Sequence, residues 1–86
     1  MSVSNLTIEV DDGVLAELAY MVKLHKQHGA PNPHESVESL IRYVLSAVAD
    51  GHRRPGAWER GMLDQMGIVP ECDQSHDYRP QYGEPK

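Results

Sequence analysis

Histidine and cysteine are the residues in this sequence whose spacing would most readily indicate metal chemistry. The chain of 86 residues has five histidines and one cysteine. His25 and His28 are separated by three positions, and Cys72 and His76 by four. Neither spacing is that of a zinc site, and Cys72 lacks the second cysteine that such sites pair with it. We therefore expect no metal and no cofactor.

Catalytic motifs are also missing from the sequence. It contains no glycine-rich phosphate loop, no nucleophile elbow and no His–Glu metalloprotease motif. A chain this short also has little material from which to build a substrate pocket. The sequence therefore predicts a binding protein and not an enzyme.

Three polar side chains alternate with apolar ones near the N-terminus: Asn5, Thr7 and Glu9. The apolar residues between and after them are Leu6, Ile8 and Val10. This period of two predicts a half-buried strand over residues 4–12. The sequence has no second strand, so we expect the partner strand to come from a second copy.

Directly after the predicted strand, the spacing of the apolar residues changes to that of a helix. The pattern predicts a first helix over about residues 12–27, with Asp11 or Asp12 as its N-cap and Gly29 as its end. A proline-containing loop covers residues 29–35. A second helix begins after Ser36 and ends at Gly51, and its apolar stripe has helical spacing throughout: Val37, Leu40, Ile41, Val44, Leu45 and Val48.

The remainder of the chain is less regular. A third helix is predicted at about residues 56–66, with Trp58, Met62 and Met66 on a packing face and Gly67 as its end. Residues 70–86 are polar and predicted to be disordered. The sequence therefore divides into a domain at 1–50, a linker and third helix at 51–69, and a tail at 70–86.

Charge sets a condition on any nucleic-acid partner. The chain has 8 Lys and Arg residues against 13 Asp and Glu residues, a net charge of −5, whereas DNA binding draws much of its affinity from cations at phosphates. The basic cluster is Arg53–Arg54, beside His52. It is equally suited to contact phosphate or to interact with the C-terminal dipole of the second helix.

Two segments together resemble the MetJ/Arc-like ribbon-helix-helix family of dimeric DNA-binding proteins. LTIEVDDGVLAELAYMV is similar to that family's strand and first helix, and SVESLIRYVLSAVADG is similar to its second helix. The resemblance covers about residues 4–50. It implies a mostly α fold in which one N-terminal strand pairs across an intertwined homodimer above two core helices, with the short third helix outside the match.

The resemblance also implies roles for individual residues. Asn5, Thr7 and Glu9 would enter the DNA major groove from the paired strands. There asparagine can pair with adenine, threonine can touch the thymine methyl group, and glutamate can accept from cytosine N4. The start of the second helix, at Ser36, Val37 and Glu38, would offer backbone amides to a phosphate. The shared dimer core would consist of apolar residues from the strand and both helices: Leu6, Ile8, Val10, Leu18, Val22, Leu40, Ile41, Val44 and Leu45.

Two functions are compatible with these features. The first is a DNA-binding transcriptional repressor or antitoxin-like autoregulator that binds double-stranded DNA as a homodimer. The second is a protein-interaction module on the same scaffold, which binds a toxin, a polymerase or a host factor through its acidic face or through residues 56–86. A cytoplasmic location without a membrane segment is expected for both, because no run approaches the ~20 apolar residues of a membrane span and Cys72 cannot form a disulfide within the chain.

Overall fold

The computed structural model describes residues 2–85 and is mostly helical. Its helices are α1 at Asp12–His28, α2 at Val37–Arg53 and α3 at Glu59–Met66, followed by a short 3-10 helix at Asp73–His76. The three predicted α-helices are thus confirmed. The chain forms two compact units, Met1–Leu40 and Ile41–Lys86. Residues 1 and 86, at the ends of the predicted domains, lie outside the described part.

The predicted N-terminal strand is absent from the described structure. Residues 2–11 have no helix or strand, and Leu6 and Ile8 are 83% and 61% exposed. A strand exists only when its backbone N–H and C=O groups pair with another strand, and residues 2–85 contain no strand. The ribbon-helix-helix fold predicted from the resemblance is therefore wrong for this structure. The assignment of Leu6, Ile8 and Val10 to a dimer core stays a prediction, and in the structure these residues lie in the segment without secondary structure.

Helix α1 begins at Asp12 as predicted and ends at His28, one residue beyond the predicted end and directly before Gly29. The backbone carbonyl of Asp11 accepts a hydrogen bond from the Leu15 N–H at 3.0 Å. At the other end, Gly29 has a φ of +77° and donates its N–H to the His25 carbonyl at 2.8 Å. Positive φ is inexpensive only for glycine, so this residue ends the helix.

The start of α2 is held by a local serine cap, as predicted. The Ser36 hydroxyl accepts the Ser39 N–H at 3.1 Å, which satisfies one of the free amides at the helix start. The preceding loop is held by His25, whose Nδ1 accepts the His34 N–H at 3.0 Å. Among the described residues of the first unit, Met1–Leu40, the buried apolar side chains are Val22 and Leu40.

Helix α2 continues through Gly51 to Arg53, so the predicted end at Gly51 is wrong. Gly51 is buried, and a Cβ there would lie 3.0 Å from both the Glu59 Cβ and the Leu63 Cδ1. Gly51 therefore permits the close approach of α3. The fold depends here on the absence of a side chain and not on the conformational freedom of glycine.

Helix α3 starts at Glu59, later than predicted, because residues 55–58 form a turn in which the Ala57 N–H bonds to the Arg54 carbonyl. It ends at Gly67 as predicted, with a φ of +72°. Its buried residues are Arg60 and Leu63. The predicted packing face is instead exposed, with Trp58 at 74%, Met62 at 39% and Met66 at 60%.

Candidate functional site

The residues predicted to read DNA bases have no element to present them. Asn5, Thr7 and Glu9 are exposed and lie in the segment without secondary structure. Inserting alternate side chains into a groove needs a ribbon that fixes their spacing. Because the described residues include no strand, their predicted role as a paired reading surface lacks its structural basis.

The predicted phosphate contacts are only partly available. Ser36 and Val37 are half-buried and Glu38 is exposed, at the start of α2. The Ser39 amide, which is in this first turn, is already bonded to the Ser36 hydroxyl. Arg54 is exposed, whereas Arg53 is turned into contacts within its own unit. The two arginines, adjacent in sequence, therefore have different roles in the structure.

The side chain of Arg53 is the centre of the richest polar cluster described. Its Nη2 donates to Asp50 Oδ1 at 2.9 Å, and its Nη1 donates to the Arg79 carbonyl at 2.9 Å. Its Cζ lies 4.9 Å from the centre of the Tyr82 ring, within the range of a cation–π contact. The Tyr82 hydroxyl in turn donates to Asp50 Oδ1 at 3.0 Å. We call Asp50, Arg53, Arg79 and Tyr82 the Arg53 cluster.

The charges of this cluster are mutually stabilised. The hydrogen bond from Arg53, followed by that from Tyr82, holds the pKa of Asp50 below its ordinary value. The same hydrogen bond to Asp50 raises the pKa of Arg53. Each partner favours the charged form of the other, so Asp50 and Arg53 form an ion pair at neutral pH.

The Arg53 cluster fastens the C-terminal segment, residues 77–85, to the end of α2. The Arg79 N–H donates to the Arg53 carbonyl at 3.0 Å, which satisfies an acceptor at the helix end that has no partner within the helix. The Arg79 side chain also contacts His52, with 3.2 Å between Arg79 Nη2 and His52 Nδ1. Arg79 is thus bonded through its N–H, its carbonyl and its guanidinium.

A second polar link holds the residues just before this segment. Arg60 is 8% exposed, and both of its terminal nitrogens donate to the Ser75 carbonyl. The Ser75 hydroxyl donates to the Pro70 carbonyl at 2.6 Å. A buried arginine needs such acceptors, because an unpaired buried charge is very unfavourable. Sequence reasoning missed this contact, since nothing near Arg60 in the sequence marks it as buried.

An open groove of about 810 Å³ lies between the end of α2 and the C-terminal segment. Its wall combines aromatic residues and prolines with charged groups, among them His52, Arg53, Tyr78, Arg79 and Tyr82. Within this wall, His52 contacts Arg79 and Arg53 contacts Tyr82. The arrangement is therefore suited to holding the C-terminal segment in place.

Neither a metal-binding group nor a membrane-spanning helix occurs in the part of the chain that the structure describes. Residues 2–85 contain no group of three or more His, Cys, Asp or Glu side chains arranged to hold a metal ion. His25 Nδ1 is already an acceptor for His34. None of the helices in this range combines the length and apolar character needed to cross a bilayer.

Comparisons with protein-family models, with curated proteins and with solved structures find no match to this chain. The functional assignment therefore rests on the residues of the chain itself.

Proposed function

We propose that this chain is a protein-interaction module that associates with a second copy of itself through the apolar face of α2. We define this α2 face as Ile41, Val44, Leu45 and Val48. These residues fall at i, i+3, i+4 and i+7, so they share one side of the helix. The observation that carries the proposal is the exposure of Val44 and Leu45, at 45% and 58%.

The small core supports association. Among the described residues, the buried apolar side chains are Val22, Leu40 and Leu63. Chains of this size leave much apolar surface uncovered, and oligomerisation is a common way to cover it. A helix with an exposed apolar stripe is suited to pack against another helix or into an apolar groove. A second copy provides a matching stripe through a two-fold axis.

The available charges favour a protein partner over DNA. Three of the arginines are committed to internal contacts: Arg53, Arg60 and Arg79. The net charge of −5 opposes approach to a polyanion. We therefore assign the module to protein recognition, and we place the contact on α2 because Tyr82 of the C-terminal segment is already bonded to Asp50.

The test is the mass of the chain in solution, measured by light scattering after size exclusion. We expect twice the chain mass of 9.6 kDa for the wild type. Leu45→Glu places a charge at the centre of the α2 face and should yield the single-chain mass, because burying an unpaired carboxylate is unfavourable.

Ser46→Glu is the matched control, since Ser46 is the exposed neighbour on the opposite side of α2 and should leave the dimer intact. A monomeric wild type would contradict self-association. Equal dissociation of the dimer by both variants would show that an added negative charge anywhere on α2, and not disruption of the α2 face, prevents association.

A further inference from the structure

We propose that His52 makes the attachment of the C-terminal segment to α2 sensitive to pH, with the segment held when His52 is neutral and loosened when the imidazole takes a proton. This conformational device is distinct from the proposed association through the α2 face. It concerns the contacts of Arg79, which bonds to the end of α2 at three points.

The proton position on His52 follows from its partner. Arg79 Nη2 lies 3.2 Å from His52 Nδ1. A guanidinium can only donate hydrogen bonds, so Nδ1 must be the acceptor. An imidazole that accepts at Nδ1 is neutral and carries its proton on Nε2. That atom is buried and has no hydrogen-bond partner among the described residues.

Protonation of His52 removes this contact. Nδ1 would then carry a hydrogen directed at a guanidinium that also donates, and two positive charges would face each other. Histidine is the side chain that gains charge between pH 5 and 8. The hydrogen bond that is lost belongs to Arg79, whose N–H and carbonyl both bond to Arg53. Loosening the Arg79 side chain therefore weakens the attachment of the C-terminal segment to α2.

The charged groups around His52 are of both signs. On the helical side, the charged residues within two positions of His52 are Asp50, Arg53 and Arg54. On the C-terminal side, the titratable groups of the groove are Cys72, Asp77, Tyr78, Arg79, Tyr82 and Glu84. Arg53 and Arg79 repel an imidazolium, and the carboxylates Asp77 and Glu84 line the same groove.

Asp50 does not act as the switch. Its bonds to Arg53 and Tyr82 hold its pKa below the ordinary carboxyl value, so it stays ionised at the mildly acidic pH where histidine titrates. The ion pair with Arg53 therefore persists while the His52 contact is lost.

The experiment is a pH titration of the full chain followed by NMR. At pH 7.5 we expect the Arg79 backbone amide to have an order parameter near the rigid value of about 0.85, and at pH 5.5 we expect a fall toward the flexible range, below about 0.6. The midpoint of this loss should coincide with the titration of the His52 ring protons. Persistent order of Arg79 at pH 5.5 would overturn the proposal, as would a midpoint that follows a different histidine.

Two variants separate His52 from the other histidines. His52→Gln supplies a carbonyl oxygen that accepts from Arg79 and does not titrate, so Arg79 should remain ordered at both pH values. His76→Gln alters an exposed histidine in the neighbouring 3-10 helix and should retain the wild-type response. If His52→Gln lost order on acidification as the wild type does, the proposal would be wrong.

Discussion

At the scale of single residues, Arg53 shows how one side chain can serve two regions of the chain. It pairs with Asp50 three positions earlier in α2 and reaches the Arg79 carbonyl 26 positions later. The Asp50 pairing has a sequence signal, because residues three apart are neighbours on a helix. The contact with Arg79 has none. The Arg53–Arg54 pair therefore has its basic character partly neutralised within the fold.

The Arg53 cluster makes a specific prediction about the pKa of Asp50. Arg53→Met should raise that pKa more than Tyr82→Phe, because the hydrogen bond from Arg53 lowers it most. Tyr78→Phe is the control and should leave it unchanged. The measurement is the Asp50 carboxyl shift in a pH titration by NMR, and equal values in all three variants would contradict the arrangement.

The same cluster sets the sign of a stability change. Because the folded chain lowers the pKa of Asp50, ionised Asp50 stabilises the fold above the unfolded carboxyl value of about 3.9. This stabilisation is lost as the pH falls through the lower, folded-state pKa. Arg53→Met should reduce the loss, which urea unfolding at a series of acidic pH values would detect.

At the scale of elements, α2 and α3 show that glycine can have two different structural roles in one chain. Gly67 ends α3 through its positive φ, and the sequence predicts this. Gly51 lies inside α2 and allows α3 to approach, which the sequence pattern does not indicate. The distinction depends on what lies across from the glycine, and local spacing contains no information about that.

This distinction predicts opposite effects for two substitutions. Gly61→Ala in α3 meets no atom within 4 Å and should stabilise the chain by roughly 0.5–1 kcal/mol, because alanine is the better helix former. Gly51→Ala gains the same preference but forces its Cβ against Glu59 and Leu63, and such overpacking costs about 1–3 kcal/mol.

Urea unfolding should therefore show a higher midpoint for Gly61→Ala and a lower one for Gly51→Ala. Stabilisation by both substitutions would mean that the contact between α2 and α3 yields without cost, contrary to the packing described.

At the scale of the whole molecule, charge and exposed apolar surface determine the partner we propose. The net charge is −5, and Arg53, Arg60 and Arg79 bond internally. We therefore expect that random duplex DNA will not change the elution of the wild type at low salt. A shift that disappears as salt rises would instead indicate phosphate contacts and would contradict the assignment to protein recognition.

The sequence by itself determined the helical content of this chain and several helix ends. A period of 3.6 residues, the cap at Ser36 and the glycines at 29 and 67 all act through hydrogen bonds between near neighbours, so local spacing is sufficient to find them.

Only the tertiary structure decided which of the predicted elements form and which residues pack or bond between them. Residues 4–10 have the alternation of a strand, but a strand forms only by pairing with another strand. The described residues contain no strand. Burial of Arg60, the close approach at Gly51 and the bond between Tyr82 and Asp50, 32 positions apart, likewise depend on residues brought together by folding. These contacts follow from packing between elements, and no spacing along the chain encodes them.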